Sequence, residues 1–162
     1  QDLSILNIIQ KNNKGVIILV NKWDLVEKDH TTTKRFEDEL RSRTAPFTDY
    51  PVLFISAITR QRVHRILELI MNVYENRRRK ISTSQLNEVM LKIINDTPPP
   101  SIKGKHVKIK YVTQLPGAYP VFAFFCNYPQ YIREPYRRFV ENRLRESFPL
   151  TGAPVRVYFR KK

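Results

Sequence analysis

Gly15-Val16-Ile17-Ile18-Leu19-Val20-Asn21-Lys22-Trp23-Asp24 is an apolar, β-branched run that stops abruptly at a polar tetrad. The run reads as a buried strand. The tetrad after it, Asn-Lys-x-Asp, has the residue types that recognise guanine. Guanine presents N1–H and an exocyclic amine side by side, and one carboxylate, Asp24, can accept both in a charge-assisted pair. Adenine lacks those two donors and would leave the carboxylate unpaired. The stem of Lys22 can lie along the base, and Asn21 can anchor the loop through its amide. Asn and Asp also favour turns for their own backbone reasons, so the tetrad alone reads equally as a polar turn. Its position favours a site, because ligands in α/β sheets bind at the carboxyl ends of strands.

A second short apolar strand, Val52-Leu53-Phe54-Ile55, ends in Ser56-Ala57. A backbone N–H there can meet guanine O6, which adenine also lacks, and the small side chains allow that approach. Two strand-end motifs in the right order, one helix-sized segment apart, make guanine binding the stronger reading. Between them, Thr31-Thr32-Thr33 offers helix N-caps, with Phe36 and Leu40 at buried spacing. Upstream, Leu3, Ile5, Leu6, Ile8 and Ile9 predict a helix over 1–13, with Gly15 as its terminator. Downstream, Val63, Ile66, Leu67, Ile70, Met71, Val73 and Tyr74 predict a helix running into Arg77-Arg78-Arg79-Lys80. Helix-strand-helix-strand-helix is an α/β, parallel-sheet pattern. The basic cluster marks its boundary, giving a first domain over 1–80.

The second domain, 81–162, has a different pattern. Ser82-Thr83-Ser84-Gln85 is a capping-box-like start, and Leu86, Val89, Met90, Ile93 and Ile94 give a clean helix face. Pro98-Pro99-Pro100 ends that helix in a stiff connector. In 106–112, Val107, Ile109 and Tyr111 are expected on one strand face and Lys108 and Lys110 on the other. Residues 121–126 form an apolar strand that contains the single cysteine, Cys126, expected as a buried thiol. Pro135 suits a first helical turn, with Tyr136, Phe139, Val140 and Leu144 as the core stripe. Arg133, Arg137, Arg138, Arg143 and Arg145 surround it. Alternation returns in Val155-Arg156-Val157-Tyr158-Phe159-Arg160. The order α-β-β-α-β predicts a compact α+β domain with helices on one face of a sheet.

The charge divides the same way. Residues 1–76 hold 11 Lys/Arg against 10 Asp/Glu, a net +1, and residues 77–162 hold 18 against 5, a net +13. A near-neutral half joined to a strongly basic one points to a nucleic-acid-facing module; the plainer alternative is a solvated basic surface. One Cys with His30, His64 and His106 assembles neither a disulfide framework nor a Cys/His metal site. No stretch approaches the ~20 apolar residues of a membrane span, so no membrane partner is expected. With no secretory signal in residues 1–10, a cytoplasmic location fits. The glycines are Gly15, Gly104, Gly117 and Gly152. None belongs to a phosphate loop of the form GxxxxGK followed by Ser or Thr, and none has Asp three residues earlier. The sequence therefore holds a base-reading element without a phosphate cradle, a Mg²⁺-holding hydroxyl or a γ-phosphate switch. Lys22 and Asp24 are binding residues and no catalytic residue is assigned. The chain by itself is expected not to hydrolyse GTP.

Several strings resemble one family. They are Asn21-Lys22-Trp23-Asp24-Leu25-Val26, Ser56-Ala57, Ile81-Ser82-Thr83-Ser84-Gln85-Leu86-Asn87, Thr97-Pro98-Pro99-Pro100 and, above all, Ile132-Arg133-Glu134-Pro135-Tyr136-Arg137-Arg138-Phe139. Together they are similar to the C-terminal part of the Der (EngA) family, bacterial GTPases with tandem G domains followed by a KH-like domain. The likeness covers essentially the whole chain. It implies that 1–80 is the C-terminal half of the second P-loop GTPase domain and 81–162 the KH-like domain. On that reading the chain begins inside a G domain. The resemblance further implies a GTP-binding protein of large-subunit ribosome assembly. GTP or GDP with Mg²⁺ would serve the intact protein, with none bound stably by this chain alone. The implied partners are ribosomal RNA or the large ribosomal subunit, and G domains of the same protein. An ordinary KH module grips nucleic-acid backbone with a GXXG loop, but no two glycines here stand three apart. Lys108, Lys110, Arg133, Arg137 and Arg138 would then contact rRNA phosphates through charge or dock against G domains. A different reading is a stand-alone basic RNA-binding module with no nucleotide-dependent function.

Overall fold

The structure, a computed structural model, describes residues 2–161; the expected helix start at Gln1 and the last residue, Lys162, lie outside them. The chain divides into two compact units, one ending at Asn76 and including Thr151–Ala153, the other comprising Arg77–Leu150 and the chain from Pro154.

The first unit runs α1 (Asp2–Lys11), β1 (Ile18–Val20), α2 (Thr32–Thr44), β2 (Val52–Phe54) and α3 (Arg65–Arg78), with the last turn of α3 in the second unit. β1 and β2 pair in parallel, Ile18 opposite Val52, Leu19 opposite Leu53 and Val20 opposite Phe54. Both carboxyl ends therefore open at the same edge. β1 is shorter than the apolar run because Val16 N–H leaves the ladder to donate to Gly152 O at 2.8 Å. Gly152 has φ +75°, and a Cβ there would lie 2.8 Å from Val16 O and 2.6 Å from a Val73 methyl. Only glycine tolerates both demands.

Leu6, Val16 and Tyr50 are buried together, with Ile9, Ile18, Leu40, Phe47 and Val52 around them. Of the stripe predicted on α3, Val73 is buried, whereas Leu67, Ile70, Met71 and Tyr74 are exposed. A sheet of two short strands offers too little surface to cover so long a stripe. The start of α2 also differs from expectation. The N-cap Thr31 makes no capping bond through its side chain. Instead the Asp29 carboxylate accepts from Thr31 N and Thr31 Oγ1, both at 2.7 Å, and from Thr32 Oγ1 at 3.0 Å. These bonds hold the Asp29 carboxyl down at about 2.

The second unit runs α4 (Thr83–Asp96), β3 (Ile109–Leu115), β4 (Val121–Cys126), α5 (Glu134–Ser147) and β5 (Arg156–Lys161), the expected α-β-β-α-β order. The sheet order is β3-β4-β5, with β3 antiparallel and β5 parallel to the central β4. Leu86, Met90 and Ile94 of α4 and Tyr136, Val140 and Leu144 of α5 share one core with Val112, Phe122, Phe124, Cys126 and Phe159. Ser82 Oγ accepts from Gln85 N and so caps α4, as the sequence predicts.

The register of β3 shifts between Ile109 and Tyr111. This bulge interrupts the expected alternation. Val107, Ile109 and Val112 are buried, while Tyr111 stacks on Phe125, ring centroids 4.5 Å apart and 12° from parallel. One extra residue turns every later side chain to the opposite face. Beyond the bulge, Asn87 of α4 fastens β3: its Oδ1 accepts from Val112 N at 2.9 Å and its Nδ2 donates to Val112 O at 3.0 Å. Val112 is fully buried, so Asn87→Ala leaves a buried donor and acceptor unsatisfied. A loss of about 2–4 kcal/mol is expected, read by urea unfolding followed through amide signals of α4 and β3. A loss under about 0.5 kcal/mol would show that water replaces the amide without penalty.

Candidate functional site

The parallel register brings the two predicted guanine elements together. Trp23 N–H donates to Ile55 O at 3.0 Å, and Ile55 N–H to Val20 O at 2.9 Å, stitching the tetrad to the end of β2. Trp23 opens a single 3₁₀ turn, Trp23–Leu25. Its indole is buried, edge-on to Phe36 at 5.2 Å and tilted against Phe54 at 4.3 Å. Trp23 is the variable position of the Asn-Lys-x-Asp tetrad; a lone tryptophan flanked by polar residues is the signal that marks it as the anchor.

Asn21 joins the loops. Its Oδ1 accepts from Lys22 N at 2.8 Å and from Ala57 N at 3.1 Å. Ala57 N–H, which belongs to the Ser56-Ala57 pair expected to offer a backbone N–H to guanine O6, is thus engaged across the two loops. Lys22 holds the left-handed conformation, φ 59° and ψ 31°, which a non-glycine residue adopts uncommonly. That twist reverses the chain between the end of β1 and the 3₁₀ turn, and leaves the Lys22 side chain exposed.

Asp24 is half-buried, and its Oδ1 is shielded from solvent with no hydrogen-bond partner among the described residues. The Ser56 hydroxyl beside it, foremost, holds its carboxyl below the usual carboxylate range; its own backbone and Lys28 act the same way, against the opposing effect of burial. Asp24 is therefore an anion near neutral pH and an acceptor only. Ser56 is fully buried, and its Oγ accepts from Thr59 N at 3.1 Å. Asn21, Lys22, Asp24, Ser56 and Ala57 thus converge on one small region, with an ionised oxygen left over for a donor. A buried acceptor without a partner is costly, and guanine's N–H groups are donors of the right kind to satisfy it.

The basic residues do not converge in the same way. Lys108 lies just before β3, its N–H bound to Asn127 Oδ1 at 2.8 Å, and Lys110 sits at the bulge; both are exposed. Arg133 is the exposed N-cap residue of α5. Arg137 lays its guanidinium over the Phe159 ring at 5.2 Å, and Arg138 pairs with Glu134 at 3.6 Å.

Residues 80–160 match the family model described as the KH-domain-like, C-terminal part of EngA bacterial GTPase enzymes. The chain belongs to this family. It is 55% identical to a GTPase Der of Bacteroides thetaiotaomicron, 54% identical to one of Porphyromonas gingivalis and 52% identical to one of Flavobacterium johnsoniae. Each alignment covers 100% of this chain and 37–38% of the relative. The chain thus spans a little over a third of the relatives' length and corresponds to their C-terminal part. No described helix is long and apolar enough to cross a membrane.

Asn21→Ala should loosen the two loops without unfolding the unit. Two exposed hydrogen bonds are lost, about 1 kcal/mol together, so exchange of the Ala57 amide should quicken about fivefold. The Thr59 amide, held by Ser56, should not change. Equal exchange at Ala57 in both proteins would mean that Asn21 does not tie the loops.

Proposed function

We propose that this chain carries the guanine-recognising part of a GTP-binding protein, a GTPase of large-subunit ribosome assembly, together with a basic KH-like domain that contacts ribosomal RNA. The observation that carries the first part is Asp24 Oδ1, an ionised, buried oxygen at the carboxyl end of β1 with no donor among the described residues. In this reading Asp24 accepts guanine N1–H and the exocyclic amine. Lys22 lies along the base, and Ala57 N–H is shared between Asn21 and O6. The relatives named GTPase Der support it. The phosphates and Mg²⁺ would be held by parts of a G domain that this sequence does not contain, so the residues here bind and discriminate rather than react.

The KH-like domain supports RNA contact through charge. Between Asp96 and Glu134 the chain has no acidic residue, yet it has Lys103, Lys105, Lys108, Lys110 and Arg133. Without a GXXG clamp, phosphate contacts fit this surface better than base readout.

Replacing Asp24 tests the guanine reading. In a protein where this chain follows a phosphate-binding half, Asp24→Asn substitutes a donor for one acceptor. Guanine-nucleotide affinity should fall by about 2–4 kcal/mol, with preference moving to xanthine nucleotides, whose O2 accepts from the new amide. Nucleotide titration of both proteins measures it; unchanged GTP affinity would sink the assignment.

A further inference from the structure

Arg77-Arg78-Arg79-Lys80 stands in the sequence as a mere boundary marker. In the folded second unit it forms one wall of a cavity of about 270 Å³. The opposite wall is the end of β3 and the turn to β4, with Leu115, Pro116, Gly117 and Tyr119. The basic wall is fastened to the sheet. Gln114 Nε2 donates to Arg79 O at 2.8 Å, and Gln114 Oε1 accepts from Ile81 N at 2.7 Å. Just beyond, the hydroxyls of Thr83 and Thr113 lie 3.2 Å apart. A glutamine that takes one donor and one acceptor from the same backbone stretch holds it as a strand neighbour would.

A run of like charges in water ordinarily spreads apart and stays solvated. Here the backbone is pinned, and Arg77 Nε is shielded from solvent with no hydrogen-bond acceptor among the described residues. None of the lining side chains is acidic. A concave, fixed concentration of positive charge focuses the field, and Arg77 Nε–H remains as a donor for an oxyanion. Arginine forks match phosphate oxygens in pairs. The volume falls just below the ~300–1,000 Å³ of pockets that enclose small molecules, so the cavity suits a phosphate and its sugar on a strand passing through.

We propose that the cavity between Arg77–Lys80 and the β3–β4 turn is a phosphate-binding groove for an RNA backbone. The proposal rests on the RNA-contact reading above and gives it a location separate from Lys108 and Lys110. Those lysines stand at the start of β3, whereas the groove lies at its end. Gln114 acts as a positioning residue that holds the basic backbone in place.

The test measures binding of an RNA duplex of about 16 base pairs to the 162-residue protein as salt is raised. The double variant Arg78→Ser, Lys80→Ser alters two side chains that are at least partly exposed. It should bind about tenfold or more weakly at low salt and reduce the slope of log K against log salt by about 2. Gln114→Ala removes no charge, yet should weaken binding about three- to tenfold by releasing the wall. An amide spectrum matching the parent protein confirms that each variant is folded. Wild-type affinity and slope in the double variant, with weakened binding by Lys108→Ser, Lys110→Ser, would overturn the groove and keep the RNA reading. No RNA binding by the parent protein would overturn both. Displacement of the RNA by inorganic phosphate or a mononucleotide at equal phosphate concentration would assign the groove to a small phosphate ligand instead. Equal competition by polyglutamate would assign it to an acidic protein.

Discussion

The parallel register of β1 with β2 is the constraint on which the candidate guanine site depends. Val20 opposite Phe54 puts Asn21 and Ser56 at neighbouring strand ends. From there one side-chain oxygen, Asn21 Oδ1, reaches backbone amides on both loops. The buried Trp23 indole then fixes how far the tetrad stands from β2. A slip of one residue would turn the strand side chains over and separate Asp24 from the Ser56 hydroxyl. The site is thus a product of strand pairing first and of side-chain chemistry second.

The second unit answers to a different constraint. Its three strands lie under two helices, and β3, at the edge, has main-chain groups that face no strand. Asn87 satisfies Val112 on that edge, and Gln114 satisfies Arg79 and Ile81 two residues further along. Asn87 thereby does at Val112 what a fourth strand would do, and blunts an edge that could otherwise pair with another chain, while Gln114 ties the 79–81 backbone to the same strand. The same arrangement fixes where the positive charge of this half lies. The exposed pairs Arg138–Glu134 and Arg143–Glu146 neutralise some of it locally but add little stability. With all five of its carboxylates counted, this half still carries a net +13 over residues 77–162.

Much of this was legible in the sequence where a local signal dominates. Leu86, Met90 and Ile94 repeat at helical spacing and are buried as that spacing demands. Ser82 caps α4 as a serine there should, and the α-β-β-α-β order follows from such stretches. What escaped depends on contacts between distant segments. The bulge at Lys110 leaves no trace in the alternation of hydrophobic residues, so alternation alone places Tyr111 on the wrong face. The apolar stripe of α3 predicts burial, but burial needs a partner surface, which two short strands do not provide. Asp29 outcompetes the threonines at the start of α2 because an ionised acceptor forms stronger bonds than a hydroxyl. The basic cluster at 77–80 reads as a boundary until Gln114 is seen to hold it. Asn21, Lys22, Asp24, Ser56 and Ala57 could be named from sequence, yet the idle Asp24 oxygen and the use of Ala57 N–H by Asn21 emerge only in three dimensions.

The central claim is that Asp24 is the acceptor for guanine. A crystal structure with GDP, of a protein that joins this chain to a phosphate-binding half, tests it most directly. The account predicts both Asp24 carboxylate oxygens at about 3 Å from guanine N1 and the exocyclic amine, with Lys22 along the base. A base bound elsewhere, or an Asp24 Oδ1 still without a donor beside bound GDP, would contradict it.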